Sequence, residues 1–232
     1  MKFAAFTAII AAGSLAAGAA SAAQVFNIEV WLQGAVPSAN NFADPAHVPI
    51  GPASVTFDWT GAINWSDISP QNSTPAGGKA IDLLDGYATQ LSNFATVLPA
   101  FTFADFLNTS LTINGDAYTT FFRIATTYIS AAPIVGTFTH DDGATIYVDN
   151  ILVGGSAPET VAVTHGYSLP GGPGAHDLKL YYVTGNGTPS VLNFDPGLTT
   201  VPEPGAWALM IMGFGAAGAV IRRRRNAAPI PV

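Results

Sequence analysis

The sequence predicts an all-β fold: an antiparallel β-sandwich with a small helical insertion, preceded by an N-terminal signal helix and followed by a single C-terminal membrane helix. Residues 24–198 are rich in Thr, Val, Ile, Phe and Tyr and are interrupted by Gly, Pro, Asn and Asp. This composition favours strands joined by tight turns. Several runs in this region also alternate apolar and polar residues, which is the period of a strand. The 232 residues leave room for about one domain of ordinary size.

Residues 1–23 have the pattern of a secretory signal peptide. Lys2 is the charged start, an apolar stretch follows from Phe3, and Ala20-Ser21-Ala22 supplies small residues at a cleavage site. We therefore expect the protein to be exported. The chain has no cysteine, so a packed core must stabilise the domain without disulfides.

Two hairpins are predicted within the domain at residues 24–198. The first turns at Asn114-Gly115-Asp116, and the second turns at Asp149-Asn150 after a strand that contains Ile146 and Val148.

A further strand, HDLKLYYV, places Leu178, Leu180 and Tyr182 on one face. Apolar residues at mixed spacings of three and four predict one or two short helices within 80–98. The tryptophans Trp31, Trp59 and Trp65 are expected in the core.

The charge of the domain excludes one class of partner. Residues 24–201 contain three basic residues and 14 acidic ones, a net charge of −11. Binding to nucleic acid requires clustered Lys and Arg on the phosphates, so no nucleic acid is expected as a partner. Cations, neutral sugars and other proteins remain as candidate partners.

Asp141 and Asp142 lie between two predicted strands, just before Gly143. Adjacent carboxylates repel each other, and Ca²⁺ is a natural counter-ion for a pair of oxygen ligands. The alternative is a solvated Asp-Asp-Gly turn without a metal. His140 is expected in an exposed loop, and His176 is expected to make a structural hydrogen bond.

The C-terminal region predicts a membrane segment. Fifteen uncharged residues, 207–221, would form a helix of about 22 Å, shorter than the roughly 30 Å hydrocarbon core. The adjoining block of Arg222, Arg223, Arg224 and Arg225 resists translocation. We therefore predict a linker at 199–206, a single membrane helix at 207–221, and a basic cytoplasmic tail at 222–232.

The stretch VPEPGAWALMIMGFGAAGAVIRRRR resembles the PEP-CTERM sorting signal in its PEPxxWA variant. It contains Pro202, Glu203, Pro204 and Trp207, followed by an apolar helix and an arginine cluster. The resemblance implies an exosortase in the inner membrane of a Gram-negative bacterium as a partner. It further implies transient membrane anchoring, then delivery to the cell surface or the exopolysaccharide matrix.

Residues 136–194 resemble a PA14-type domain. The shared pattern is the Asp-Asp-Gly strand junction, a hairpin that reads YVDN here with Asn150 where the family usually has Gly, and the later LPGGPGAHDLKLYYV strand. This resemblance implies a β-sandwich that often binds glycans. In lectin-like members, two aspartates joined by a cis peptide bond and a later asparagine hold Ca²⁺, which assigns Asp141, Asp142 and Asn186 here.

Two functions follow as alternatives. The first is a non-catalytic surface or matrix protein that binds extracellular polysaccharide or another glycan, with Ca²⁺ as the candidate cofactor. The second is a secreted glycan-active hydrolase, for which two carboxylates suffice. The candidate carboxylates for the second are Asp44, Asp58, Asp67, Asp82, Asp85, Asp105 and Asp116.

Overall fold

A computed structural model describes residues 23–32, 42–67, 79–84, 87–111, 119–185, 189–198, 212–215 and 222. The strands within them are β1 (Val25–Trp31), β2 (Val55–Thr60), β3 (Ile63–Asp67), β4 (Leu91–Thr96), β5 (Thr120–Tyr128), β6 (Ile134–Asp141), β7 (Ala144–Val148), β8 (Ile151–Ser156), β9 (Val163–Leu169), β10 (His176–Thr184) and β11 (Ser190–Phe194). The helices are α1 (Ala80–Leu83), α2 (Tyr87–Gln90) and α3 (Phe103–Asn108), with a 3-10 turn at Pro45–His47.

The strands form one antiparallel hydrogen-bonded series in the order β3-β11-β6-β9-β8-β7-β10-β5-β1-β2-β4. The two halves of this series face each other. Phe26 of β1 lies 6.2 Å from Phe194 of β11, and Trp65 of β3 lies 5.6 Å from Phe122 of β5, measured between ring centroids. The series therefore curls into two packed layers joined at β7 and β8, which confirms the predicted sandwich.

The core lies between the two layers and follows the alternation of the strands. Leu178, Leu180 and Tyr182 are fully buried, as their common face predicts. Trp59 and Trp65 are buried as well, with their ring centroids 5.5 Å apart in a T-shaped contact. Burial of such large apolar side chains supplies the main driving force for a domain without disulfides.

The β7–β8 hairpin forms as predicted. Asp149 and Asn150 both have positive φ, 51° and 66°, a region in which Asp and Asn are enriched among non-glycine residues. The Asp149 carboxylate accepts hydrogen bonds from His176 Nδ1 at 2.7 Å and from the amide of Asp177 at 2.9 Å. His176 thus makes the structural hydrogen bond expected from the sequence.

The two short helices predicted within 80–98 are present as α1 and α2. Residues 91–96 of the same stretch instead form β4, which pairs with β2. Phe94 of β4 packs against Phe103 and Phe106. These contacts favour the strand, because tertiary packing overrides a weak local periodicity.

Helix α3 was not anticipated from the sequence. The Thr102 side chain accepts a hydrogen bond from the Asp105 amide, and the Asp105 carboxylate accepts one from the Thr102 amide, which is a capping box. Phe106 on this helix packs on Phe57 of β2, so the helix covers one side of the core.

Several predictions fall outside the described residues. They are the signal peptide up to residue 22, the turn at Asn114-Gly115-Asp116, the linker at 199–206, and Arg223, Arg224 and Arg225. Of the predicted membrane helix, residues 212–215 are described, and these are helical. Among the described residues, the model has no helix with the length and apolar character needed to cross a membrane.

Candidate functional site

Asp141 is the last residue of β6, and β7 begins at Ala144, so the aspartate pair lies at a strand junction as the sequence predicts. The peptide bond between Asp141 and Asp142 is cis, the arrangement that the PA14 resemblance implies. Gly143 completes the turn. A Cβ atom at this position would lie 2.2 Å from the carbonyl oxygen of Ala157, so the close approach requires glycine.

Both side chains are buried. The exposed fraction is 6% for Asp141 and 4% for Asp142. Asp142 Oδ2 accepts a hydrogen bond from the Gly185 amide at 2.6 Å. Burial raises the pKa of Asp142 to about 8, which outweighs the lowering by that hydrogen bond and is reinforced by the charges of Asp141 and Glu159.

The pKa of Asp141 is raised to about 6, again mainly by burial. A hydrogen bond from the Ala162 backbone lowers it, and the charge of Glu159 raises it. Neither aspartate belongs to any of the four ion pairs formed among the described residues. At neutral pH the junction therefore holds acidic groups whose ionisation is opposed by burial and by a third carboxylate nearby.

Three segments of chain meet at this pair. They are the end of β6, the loop between β8 and β9 that carries Glu159 and Ala162, and the residue that follows β10, Gly185. Sequence reasoning missed Glu159, which lies in a loop without a recognisable motif. Asn186, the third predicted ligand, lies outside the described residues. Its described neighbour Gly185 contacts Asp142 directly.

The described residues contain no group of three or more His, Cys, Asp or Glu side chains that could hold a metal ion. A Ca²⁺ ion at Asp141 and Asp142 would therefore need oxygen ligands of other types, such as a carboxamide, backbone carbonyls or water. These are ordinary Ca²⁺ ligands. The two carboxylates fit this metal by their chemistry, because both are oxygen donors held side by side without a cationic partner in the described structure.

His140 differs from its prediction as an exposed loop residue. Its side chain is fully buried, with its ring centroid 5.0 Å from Phe138 and 5.1 Å from His165. It lies two residues after the buried Phe138 in β6, on the same face of the strand, which turns it toward the core. Burial lowers its pKa, so the neutral imidazole is favoured.

The carboxylates proposed for a hydrolase occupy several separate places. Asp44 and Asp105 cap helical turns, and Asp82 bonds the backbone amide of Lys79 at the start of α1. Asp58 accepts hydrogen bonds from two asparagine side chains on the sheet surface. Asp67 is buried in β3 opposite Ser190. Asp85 and Asp116 lie outside the described residues.

The three predicted core tryptophans are all buried. Trp31 belongs to a second, smaller cluster with Phe121 and Tyr181 on the outer face of the sheet. The sorting residues Pro202, Glu203, Pro204 and Trp207 lie outside the described residues. Arg222 is helical and exposed.

Comparison with protein families matches residues 200–225 to the PEP-CTERM protein-sorting motif. No curated protein matches the chain.

Solved structures resemble the domain. The PA14 sugar-binding domain from an RTX adhesin is 19% identical, with a TM-score of 0.54; the match covers 78% of this chain and all of that one. The PA14 domain of the MpAFP antifreeze protein is 16% identical, with a TM-score of 0.46, and the match covers 76% and 91% of the two chains. An epithelial adhesin A domain from Candida glabrata, in complex with Galβ1-3GlcNAc, is 9% identical, with a TM-score of 0.36 and coverages of 78% and 86%.

The first of these matches carries the assignment of the fold, because it spans the whole of the adhesin domain. The chain therefore has the fold of a PA14 sugar-binding domain and carries a PEP-CTERM protein-sorting motif at residues 200–225.

Proposed function

We propose that this protein is a non-catalytic glycan-binding protein of the cell surface or the exopolysaccharide matrix. In this proposal the PA14-like domain binds a glycan at the junction of Asp141 and Asp142, with Ca²⁺ between the protein and the sugar. An exosortase in the inner membrane of a Gram-negative bacterium recognises the PEP-CTERM motif and releases the protein from its transient anchor.

The observation that carries the proposal is the burial of two adjacent carboxylates at the edge of the sandwich. A buried negative charge is costly unless a cation or several hydrogen bonds compensate it. The described hydrogen bond to Asp142 comes from one amide, that of Gly185. Burial raises both pKa values because it opposes ionisation of the two carboxylates. A divalent cation would offset this cost of ionisation.

Asp141 and Asp142 would hold the ion through their carboxylates, and Asn186, next to Gly185, would supply the carboxamide oxygen. When bound, Ca²⁺ offers further coordination positions to vicinal sugar hydroxyls, because it accepts six to eight oxygen ligands. The protein's own contribution is to orient the two carboxylates and to keep the loop at Gly185 beside them. Glu159 adds negative potential that attracts a cation to the site.

The sorting part of the proposal rests on the match at residues 200–225. The net charge of −11 over residues 24–201 favours cations and neutral sugars over polyanions as ligands. The PA14 domains to which the fold is similar include one described as sugar-binding, from an adhesin.

A glycan array tests the proposed function. The full chain, purified in a detergent without a sugar headgroup, is applied with millimolar Ca²⁺ and, separately, with a chelator. We expect binding to a restricted set of glycans that the chelator abolishes. The variant Asp141→Ala with Asp142→Ala should lose this binding, because it lacks both carboxylate ligands.

The matched control is Asp58→Ala with Asp177→Ala, which also removes two carboxylates, but from β2 and β10 in the other layer. This control should bind like the wild type. Binding that persists in the double Asp141, Asp142 variant would refute the site. Release of reducing sugar from a polysaccharide on incubation with the wild type would instead support the hydrolase alternative.

A further inference from the structure

The backbone carbonyls of both aspartates accept hydrogen bonds from buried side chains. The Tyr182 hydroxyl donates to the carbonyl oxygen of Asp141 at 2.7 Å. His140 Nδ1 lies 2.6 Å from the carbonyl oxygen of Asp142. A carbonyl only accepts, so His140 donates from a protonated Nδ1 in this contact. One buried donor thus holds each carbonyl of the pair.

The two donors are themselves fixed by packing. The Tyr182 ring lies 5.6 Å from the Phe122 ring within the core, and its hydroxyl is hydrogen-bonded by Ser190 of β11. The His140 ring lies between Phe138 and His165. Side chains locked in this way hold a neighbouring group in one geometry, which is what a binding site requires of the residues behind its ligands.

Strand β10 reaches the aspartate pair at two points. Tyr182 contacts the backbone of Asp141, and three residues later the Gly185 amide contacts the carboxylate of Asp142. The backbone ladder with β7 and the hydrogen bond from the Val183 amide to the Gly143 carbonyl oxygen hold β10 beside the junction, and the Tyr182 hydroxyl adds the side-chain contact to the Asp141 peptide itself. Loss of the hydroxyl should loosen both contacts, because they share one rigid strand end.

We propose that Tyr182 is a positioning residue of the glycan site, with His140 as its counterpart on the other carbonyl. Tyr182 touches neither metal nor sugar. It fixes the Asp141 peptide, and with it the Asp142 carboxylate beside the Gly185 amide and the Asp141 carboxylate beside the Ala162 backbone. The predicted effect on Ca²⁺ binding rests on the proposed function, whereas the predicted effect on the Gly185 hydrogen bond applies to the metal-free protein.

Tyr128 provides a matched control. It is also fully buried, and its hydroxyl donates to the carbonyl oxygen of Pro170 at 2.8 Å. It lies on β5 opposite His176, at the end of β10 away from Thr184. Tyr128→Phe and Tyr182→Phe therefore each remove one buried hydroxyl from a backbone carbonyl, but only Tyr182→Phe removes it from the aspartate pair.

The test compares these two variants in the full chain by two measurements. The first is hydrogen exchange at the Gly185 amide in metal-free protein, and the second is the Kd for Ca²⁺ by calorimetry. For Tyr182→Phe we expect at least tenfold faster exchange at Gly185 and at least tenfold weaker Ca²⁺ binding. Tyr128→Phe should change neither the Gly185 exchange rate nor the Kd for Ca²⁺ by more than about twofold, even if it lowers the melting temperature as much as Tyr182→Phe does.

Equal effects of the two variants on both measurements would overturn the proposal. If the wild type binds no Ca²⁺ while Gly185 exchange still responds to Tyr182→Phe alone, the positioning role stands and the calcium part of the proposed function is wrong. If Tyr182→Phe does not fold, His140→Leu replaces it, since it removes the matching donor from the Asp142 carbonyl. A His140→Leu protein identical to the wild type in both measurements would also overturn the proposal.

Discussion

Replacing Asp142 by Asn is expected to stabilise the metal-free protein at neutral pH and to reduce its stabilisation by Ca²⁺. The side chain is 4% exposed, and burial raises its pKa from 3.8 to about 8. At pH 7 the folded protein therefore keeps a proton that the unfolded chain has lost. Asn has no charge to bury, and its carbonyl oxygen still accepts the hydrogen bond from Gly185.

The size of this effect follows from the pKa shift. A group whose folded pKa lies above its unfolded value costs stability as the pH rises from the unfolded pKa to the folded one. From pH 3.8 to pH 7 this cost accumulates at about 1.4 kcal/mol per pH unit, which gives about 4 kcal/mol. At pH 5 the same calculation gives about 2 kcal/mol.

Denaturant unfolding of the full chain, followed by tryptophan fluorescence, measures both values. In chelator, Asp142→Asn should be more stable than the wild type at pH 7 and should lose much of that advantage at pH 5. With free Ca²⁺ at 100 times its Kd, the wild type should gain about 2.7 kcal/mol, and the variant much less. A variant less stable than the wild type in chelator at pH 7 would refute the reasoning.

Three further predictions concern other parts of the chain. Asp149→Asn should lower the melting temperature at pH 7 regardless of Ca²⁺, because hydrogen bonds from His176 and Asp177 lower the pKa of Asp149. The difference in melting temperature should disappear as acid protonates Asp149 in the wild type. A variant that melts at the wild-type temperature at pH 7 would contradict this prediction. Gly155→Ala should lower the free energy of unfolding in denaturant by more than Gly51→Ala. Both glycines have positive φ, but only the Cβ at residue 155 would lie 2.2 Å from a carbonyl oxygen, that of Ala144. Equal losses of unfolding free energy would show that the close approach has no effect. Joint replacement of Pro202, Glu203 and Pro204 should leave the protein in the membrane fraction of its native host, and unchanged release would count against exosortase processing.

The sandwich could be predicted because most of its strands show the alternating pattern of a strand in their own sequence. Ile146 and Val148 alternate before a turn whose two residues tolerate positive φ, and Leu178, Leu180 and Tyr182 repeat at the strand period. The strand β4 could not be predicted in this way. Its identity depends on pairing with β2 and on the packing of Phe94, which are contacts with residues distant in sequence.

The site was predictable in part. Asp141 and Asp142 stand out because adjacent carboxylates at a strand junction are electrostatically unfavourable. Glu159, Tyr182 and His140 gave no such signal, since their roles depend on how three separate segments meet. The burial of His140 follows from its place on the same face of β6 as Phe138, but its contact with the Asp142 carbonyl depends on the geometry of the turn.

A calorimetric titration of the full chain with Ca²⁺, in wild type and in the Asp141→Ala, Asp142→Ala variant, tests directly whether the aspartate pair binds the metal. The wild type should give a saturable binding isotherm that weakens as the pH falls from 8 to 5, because the carboxylates must be ionised to bind the metal. The double variant should give no binding heat. A flat titration of the wild type at pH 8, or equal binding by the double variant, would show that the pair is not a Ca²⁺ site.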